Sequence, residues 1–151
     1  MILAAVVLAA TLSTTPADEA VLAAVQNFFD SMAAKDVEAA REVLVPEGQF
    51  FSVRVVDGKK VVRSSTNQEF LDGLAKSEGD WLERMWDPEV RIQGDLATVW
   101  TPYDFHLDGE FSHCGIDAFD LMKIDGTWKI TGGSYTVERR GCLASPLGPP
   151  K

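Results

Sequence analysis

The chain reads as one α+β domain, with three helices first and then an antiparallel meander of long strands. Three observations predict this. Val21, Leu22, Val25, Phe28, Phe29 and Met32 recur at spacings of three and four, the apolar stripe of an amphipathic helix. From Trp81 onward, four long β-branched and aromatic runs follow one another with two-residue connections. Two of these connections, Asp108-Gly109 and Asp125-Gly126, are Asp-Gly pairs, which accept the positive φ angles of hairpin turns. Helices grouped ahead of strands, rather than alternating with them, argue for helices packed on one face of a curved sheet. The length, 151 residues, fits one domain.

The first 17 residues carry no charged side chain, and Ile2 to Leu12 is almost wholly apolar. A membrane-spanning helix needs about 20 apolar residues, so this run is too short to be one. It has the length of a signal-peptide core. Thr15-Pro16-Ala17 supplies small residues for cleavage before Asp18. No Lys or Arg precedes the run, which leaves an uncleaved N-terminal helix as the alternative. The expected organisation is a signal peptide over 1–17, a folded domain over 18–142 and an irregular Pro-rich tail over 143–151. Periplasmic or secreted localisation follows, with no stable membrane insertion after cleavage.

The first helix is expected over Asp18 to Ala34. Asp36 can cap a second, shorter helix running through Leu44 and ending before Pro46. Gln49 to Val56 and Val61 to Ser64 flank Asp57-Gly58 as a hairpin. Thr66-Asn67-Gln68-Glu69 is a capping-box pattern that opens a third helix with Phe70, Leu71 and Leu74, closed by Gly79. The four strands are expected over Trp81 to Gln93, Leu96 to Leu107, Phe111 to Ile124 and Thr127 to Val137. Pro146, Pro149 and Pro150 keep the tail irregular.

Net charge is −9, and no Lys/Arg stripe appears anywhere, which argues against a nucleic-acid partner. Lys59-Lys60 sits beside the Asp57-Gly58 turn as a solvated pair. Neither Cys114 nor Cys142 has metal-ligand spacing with another Cys or His. An oxidising compartment would let the two pair with each other.

The turns allow a register. Two-residue turns at 108–109 and 125–126 pair Leu107 with Glu110 and Ile124 with Thr127. Asp104 then falls opposite His113, Trp100 opposite Asp117, and Asp117 opposite Ser134. One face collects Trp100, Asp104, His113, Asp117, Phe119, Leu121, Trp128 and Ile130. The other collects Val99, Tyr103, Phe105, Cys114, Ile116 and Ala118. Both are too apolar to be wet, so one packs on the helices and the other on a second subunit, as a homodimer. Pro102 inside a strand marks an edge or a bulge, and a bulge there would exchange Tyr103 and Asp104 between faces. Cys114 falls opposite Val137, so bonding to Cys142 requires a reversal near Gly141. The bonded and free forms both stay open.

Taken together, "WDPEVRIQGDLATVWTPYDF", "HCGIDAFDL" and "GTWKITGGSYTVERRGC" after three helices resemble the nuclear transport factor 2-like superfamily. Within it the chain is most similar to SnoaL-like and lumazine-binding-like bacterial proteins, over roughly Asp18 to Cys142. The resemblance implies a cone-shaped half-barrel, in which a strongly curved sheet wraps the first helix around an apolar cavity open at one end, and dimers that form through the sheet. Members include isomerases, cyclases, dehydratases and non-catalytic binding domains.

Enzymes of that superfamily place a few acid-base groups in an apolar pocket, where low dielectric moves carboxylate and imidazole pKa values towards neutrality. His113 and Asp117 are the candidate catalytic pair here. Trp100, Tyr103, Asp104, Phe119 and Tyr135 are the candidate ligand contacts. His106, beside the turn, is expected to be exposed. A steroid-isomerase pattern is missing, because the first helix carries no Tyr or His. No Gly-rich phosphate loop implies a cofactor. Asp104, His106 and His113 alternate faces and make a poor metal set. Two functional readings result: a domain that binds a small apolar or aromatic molecule, or an isomerase, dehydratase or cyclase using His113 and Asp117.

Overall fold

A computed structural model describes residues 14–150. Most of the expected signal peptide lies outside the described residues. Helix α1 (Pro16–Ala34) starts at a complete capping box: the Thr15 hydroxyl accepts from the Asp18 amide, and the Asp18 carboxylate accepts from the Thr15 amide at 2.9 Å. Cleavage before Asp18 would remove that cap, at a cost of about 1 kcal/mol. Lys35 closes the helix in the left-handed conformation. Asp36 caps α2 (Val37–Val43), which ends in the extended residue Leu44. The chain then runs through β1 (Leu44–Val56) and β2 (Lys59–Thr66) to α3 (Asn67–Leu74), opened by the Thr66/Glu69 capping box. Helix α3 stops at Leu74, five residues before the expected terminator Gly79. That glycine instead packs against Asp108. Among the described residues, no helix is long and apolar enough to cross a membrane.

The expected strand over 81–93 is two strands, β3 (Trp81–Met85) and β4 (Glu89–Gln93). Asp87, at φ 45°, and Pro88 break it, yet both pieces pair with β5 (Leu96–Leu107). Strands β6 (Glu110–Ile124) and β7 (Thr127–Val137) complete a sheet of order β2-β1-β7-β6-β5-β3, with β4 also on β5. The sheet is mixed rather than purely antiparallel, because β1 lies parallel to β7. Tight turns specify only the neighbours they join, and this long-range pair has no turn. Gly132 and Gly133 let the backbones close up there: a Cβ would stand 2.0 Å from the Gln49 carbonyl oxygen in one case and 2.1 Å from that of Ala118 in the other.

Register is where the structure departs most from expectation. Leu107 pairs with Glu110 and His106 with Phe111 as expected, but Phe105 then pairs with His113, leaving Ser112 as an extra residue. This bulge lies in β6, not at Pro102, and one extra residue flips every side chain beyond it. His113 and Asp117 therefore share a face with Tyr103 and Phe105, while Trp100 and Asp104 share the opposite face with Cys114, Ile116 and Ala118. A second bulge at Thr131 sets Asp117 opposite Tyr135 instead of Ser134, and Cys114 opposite Glu138 instead of Val137.

The inner face of the sheet holds the core. Val21, Val25, Phe28, Phe29 and Met32 of α1 pack on Val99, Phe119, Leu121, Trp128 and Ile130. Phe119 sits at the centre, its ring 5.9–6.2 Å from those of Phe28, Phe29 and Phe50.

The outer face has two parts. Over β1, β6 and β7 it is an apolar groove of about 280 Å³ that includes Phe51, Val62, Trp100, Ile116 and Ala118. Trp100 is 53% exposed there. Beside β3 it carries a polar cluster: Arg84 grips Asp104 with a two-pronged contact (Nε–Oδ1 2.8 Å, Nη2–Oδ2 2.6 Å) and donates to the Gly148 carbonyl at 2.9 Å. His106, expected to be exposed, is buried in this cluster beside Phe111, with Nδ1 3.6 Å from Asp104. The tail residues 143–150 are irregular, as expected. Gly141, at φ 74°, reverses the chain so that Cys142 bonds Cys114.

Candidate functional site

The cone encloses a half-open cavity of about 400 Å³, within the range of small-molecule sites. Its apolar wall is built from α1 (Phe28, Met32), β1 (Phe50), α3 (Phe70) and the sheet (Phe105, Phe119). The helices supply these rings because their apolar stripes must face the sheet.

The polar wall is narrower. Tyr103, 1% exposed, lines it by its ring, and its hydroxyl donates to the Thr136 carbonyl at 2.7 Å. That proton is committed to the backbone. Burial, then Asp117 and Glu83, push its pKa upward, so it stays a neutral phenol. Tyr135 lies opposite Asp117 and makes no side-chain hydrogen bond among the described residues, so its hydroxyl is free for a ligand. His113 stacks on Phe105 at 4.9 Å, and its Nδ1 is 3.0 Å from the Ser112 hydroxyl. Burial, then Arg54 and Arg139, lower its pKa to about 4, so the imidazole is neutral near pH 7.

His113 and Asp117 do not form a pair. They lie four positions apart along β6, about 13 Å, too far for a hydrogen bond. The partner of Asp117 is Glu83, on β3. The two carboxyls lie within hydrogen-bonding reach. Among the described residues no amide, hydroxyl or amine donates to the buried Asp117 Oδ2, which leaves a proton shared with Glu83 as the way to satisfy it. Burial pushes Glu83 up to about 7 and holds Asp117 well above the usual carboxylate range. Asp117 is therefore the member of the pair that holds a shared proton more readily.

Of the residues expected to form the site, the structure brings Tyr103, His113, Asp117, Phe119 and Tyr135 to one cavity. It puts Trp100 and Asp104 on the outer face, because the Ser112 bulge inverts the parity between β5 and β6. Sequence reasoning missed Glu83, Arg54 and Arg139. Glu83 was readable, since it alternates with Trp81 and Met85 and so shares their inward face. The two arginines carried no comparable signal.

A curved sheet around a long helix, with an aromatic cavity and a few convergent polar groups, defines a cone-shaped α+β domain with a half-open pocket. Residues 16–136 match the model of the family described as "Putative lumazine-binding", and the chain belongs to that family. Its fold is nuclear transport factor 2-like. A protein of unknown function with a cystatin-like fold from Nostoc punctiforme superposes with a TM-score of 0.65 at 14% identity, covering 90% of this chain and 99% of that one. A nuclear transport factor 2-like protein from Cytophaga hutchinsonii gives 0.64 at 17% identity, covering 79% and 96%. A structure described as a "putative dehydratase from the NTF2-like family", from Streptomyces avermitilis, gives 0.61 at 17% identity, covering 83% and 96%. At these identities the likeness is one of fold. No curated protein matches the chain by sequence.

Proposed function

We propose that the chain is an exported domain that binds one small apolar or aromatic molecule inside the cone. The observation that carries this reading is the half-open cavity of about 400 Å³, lined by clustered aromatic rings and a single polar wall. Rings hold a flat apolar body, and the neutral His113 and the free Tyr135 hydroxyl read its polar edge. His113→Ala should weaken binding of a co-purified or screened ligand by about tenfold, the scale of one hydrogen bond, and leave the thermal midpoint within a few degrees. Titration calorimetry checks this. Unchanged affinity would remove His113 from the site.

A second reading, a dehydratase or isomerase, is favoured by the Glu83–Asp117 pair. A carboxyl held near pH 7 in an apolar pocket can take a proton from carbon beside a carbonyl and return it. The fold likeness to the Streptomyces avermitilis protein is compatible with this chemistry.

The domain is proposed to work as a homodimer. The apolar groove around Phe51, Val62, Trp100 and Ile116 supplies the face, in place of the expected one, since Val99 and Phe105 point inward. Light scattering should give about twice 16.5 kDa for the full chain, proportionately less after cleavage, and Ile116→Asp should halve the mass. A wild-type monomer would overturn the assignment.

A further inference from the structure

The strongest unspent group in the cavity is Arg54. It lines the wall together with Arg139, and neither forms a salt bridge among the described residues. The Arg54 Nη2 donates to the Ser52 hydroxyl at 3.0 Å, while its Nε is buried with no hydrogen-bond partner among the described residues. A guanidinium carries five donors in a fixed fork and cannot shed its charge, so a buried Nε–H without an acceptor is costly. Arg84 shows what satisfies such an edge in this same protein: its Nε and Nη2 clasp the two oxygens of Asp104.

Resting on the small-molecule reading above, we propose that the ligand is a monoanion, an aromatic or apolar body bearing one carboxylate, whose carboxylate is taken by the cavity-lining guanidinium of Arg54 with Arg139 beside it. The charge balance of the cavity agrees. Arg54 and Arg139 contribute two positive charges, the proton-sharing carboxyl pair one negative charge, and His113 none. One negative charge is wanted. The protein as a whole is at −9, so an anion drawn to this cavity is drawn by these local cations and not by the net field. The carboxylate end would sit towards Arg139, which is exposed, and the ring would lie inward among Phe28, Phe50 and Phe119.

The test uses two probes of one shape, 2-naphthoate and its neutral amide 2-naphthamide, titrated calorimetrically into the full chain at pH 8 and low salt. Naphthoate should bind about tenfold tighter or better. Added salt should shrink that preference. Arg54→Gln should reduce it to within about twofold, and Arg54→Lys should keep part of it. Equal affinity of the wild type for both probes overturns the anion assignment and leaves the cavity as a binding site. Binding of neither overturns both. If Arg54→Gln does not fold, the salt dependence and Arg54→Lys decide: a preference insensitive to both overturns the proposal.

Discussion

Reducing the Cys114–Cys142 disulfide should lower the thermal midpoint by roughly 10 °C. The bond spans 28 residues of sequence, and closing a loop of that size contributes about 3–4 kcal/mol on the chain-entropy account. Cys114 is buried under the end of β7, and the bond holds the tail where Gly148 can accept from Arg84. Reduction should therefore also loosen the Arg84–Asp104–His106 cluster, which hydrogen exchange at β3 would register. Cys142→Ala should match the reduced protein, because Cys142 is only half-buried and leaves little cavity. Protein taken from the envelope or medium of its native host should carry no free thiol after denaturation, and its intact mass should show the apolar N-terminus removed. Two titratable thiols would contradict the bond, and a full-length cytoplasmic chain would contradict export.

Asp117→Asn should stabilise the protein, and more so as pH rises. In the folded chain the Asp117 carboxyl keeps its proton well above the pH at which the unfolded chain releases it. A carboxyl raised in this way contributes stability that is fully present below its unfolded pKa and is lost as pH climbs. Asparagine imitates the protonated acid, donates to Glu83 and carries no such dependence. The gap between variant and wild type should widen by up to about 1.4 kcal/mol, or roughly 3 °C, for each pH unit between 5 and 8. Glu83, raised to about 7, weakens both proteins as pH rises towards 8. His113 works the other way: with its folded pKa near 4, it favours the folded state increasingly as pH rises from 4 to 6.5. Both effects largely cancel in the difference. A variant less stable at every pH would mean that Asp117 is ionised in the fold and held there by donors. The same variant separates the two functional readings, since loss of turnover with retained binding would identify a proton-transfer enzyme.

Short-range chemistry was legible in the sequence. The Asp-Gly turns at 57–58, 108–109 and 125–126 all form, with Asp57, Asp108 and Asp125 at φ 50–53°. The Thr66/Glu69 capping box and the apolar stripe of α1 could be read because each signal lies within a few residues, whereas the Thr15/Asp18 box was passed over in favour of a cleavage site. The parallel β1–β7 pairing could not, since nothing local joins those strands. The bulges at Ser112 and Thr131 were invisible for a different reason: an extra residue in a strand leaves no compositional mark, only a displaced partner. The expectation that His113 and Asp117 face the interior holds, but the counting that led there put Trp100 and Asp104 beside them when Tyr103 and Phe105 belong there. Asp117 was therefore assigned to His113 when its partner is Glu83.

Ser112 has a wider consequence. It is the point where β6 changes which of its residues look inward, so the tip at 106–111 and the cavity segment at 113–121 are set independently. Pairing Ser112 regularly with Phe105 would exchange the entire chemical lining of this wall, presenting Cys114, Ile116 and Ala118 to the cavity in place of His113 and Asp117, whereas deleting Ser112 would leave His113 opposite Phe105 and the lining unchanged. A one-residue slip at this bulge would therefore replace the lining of the cavity all at once, while loss of the bulged residue itself would be silent there.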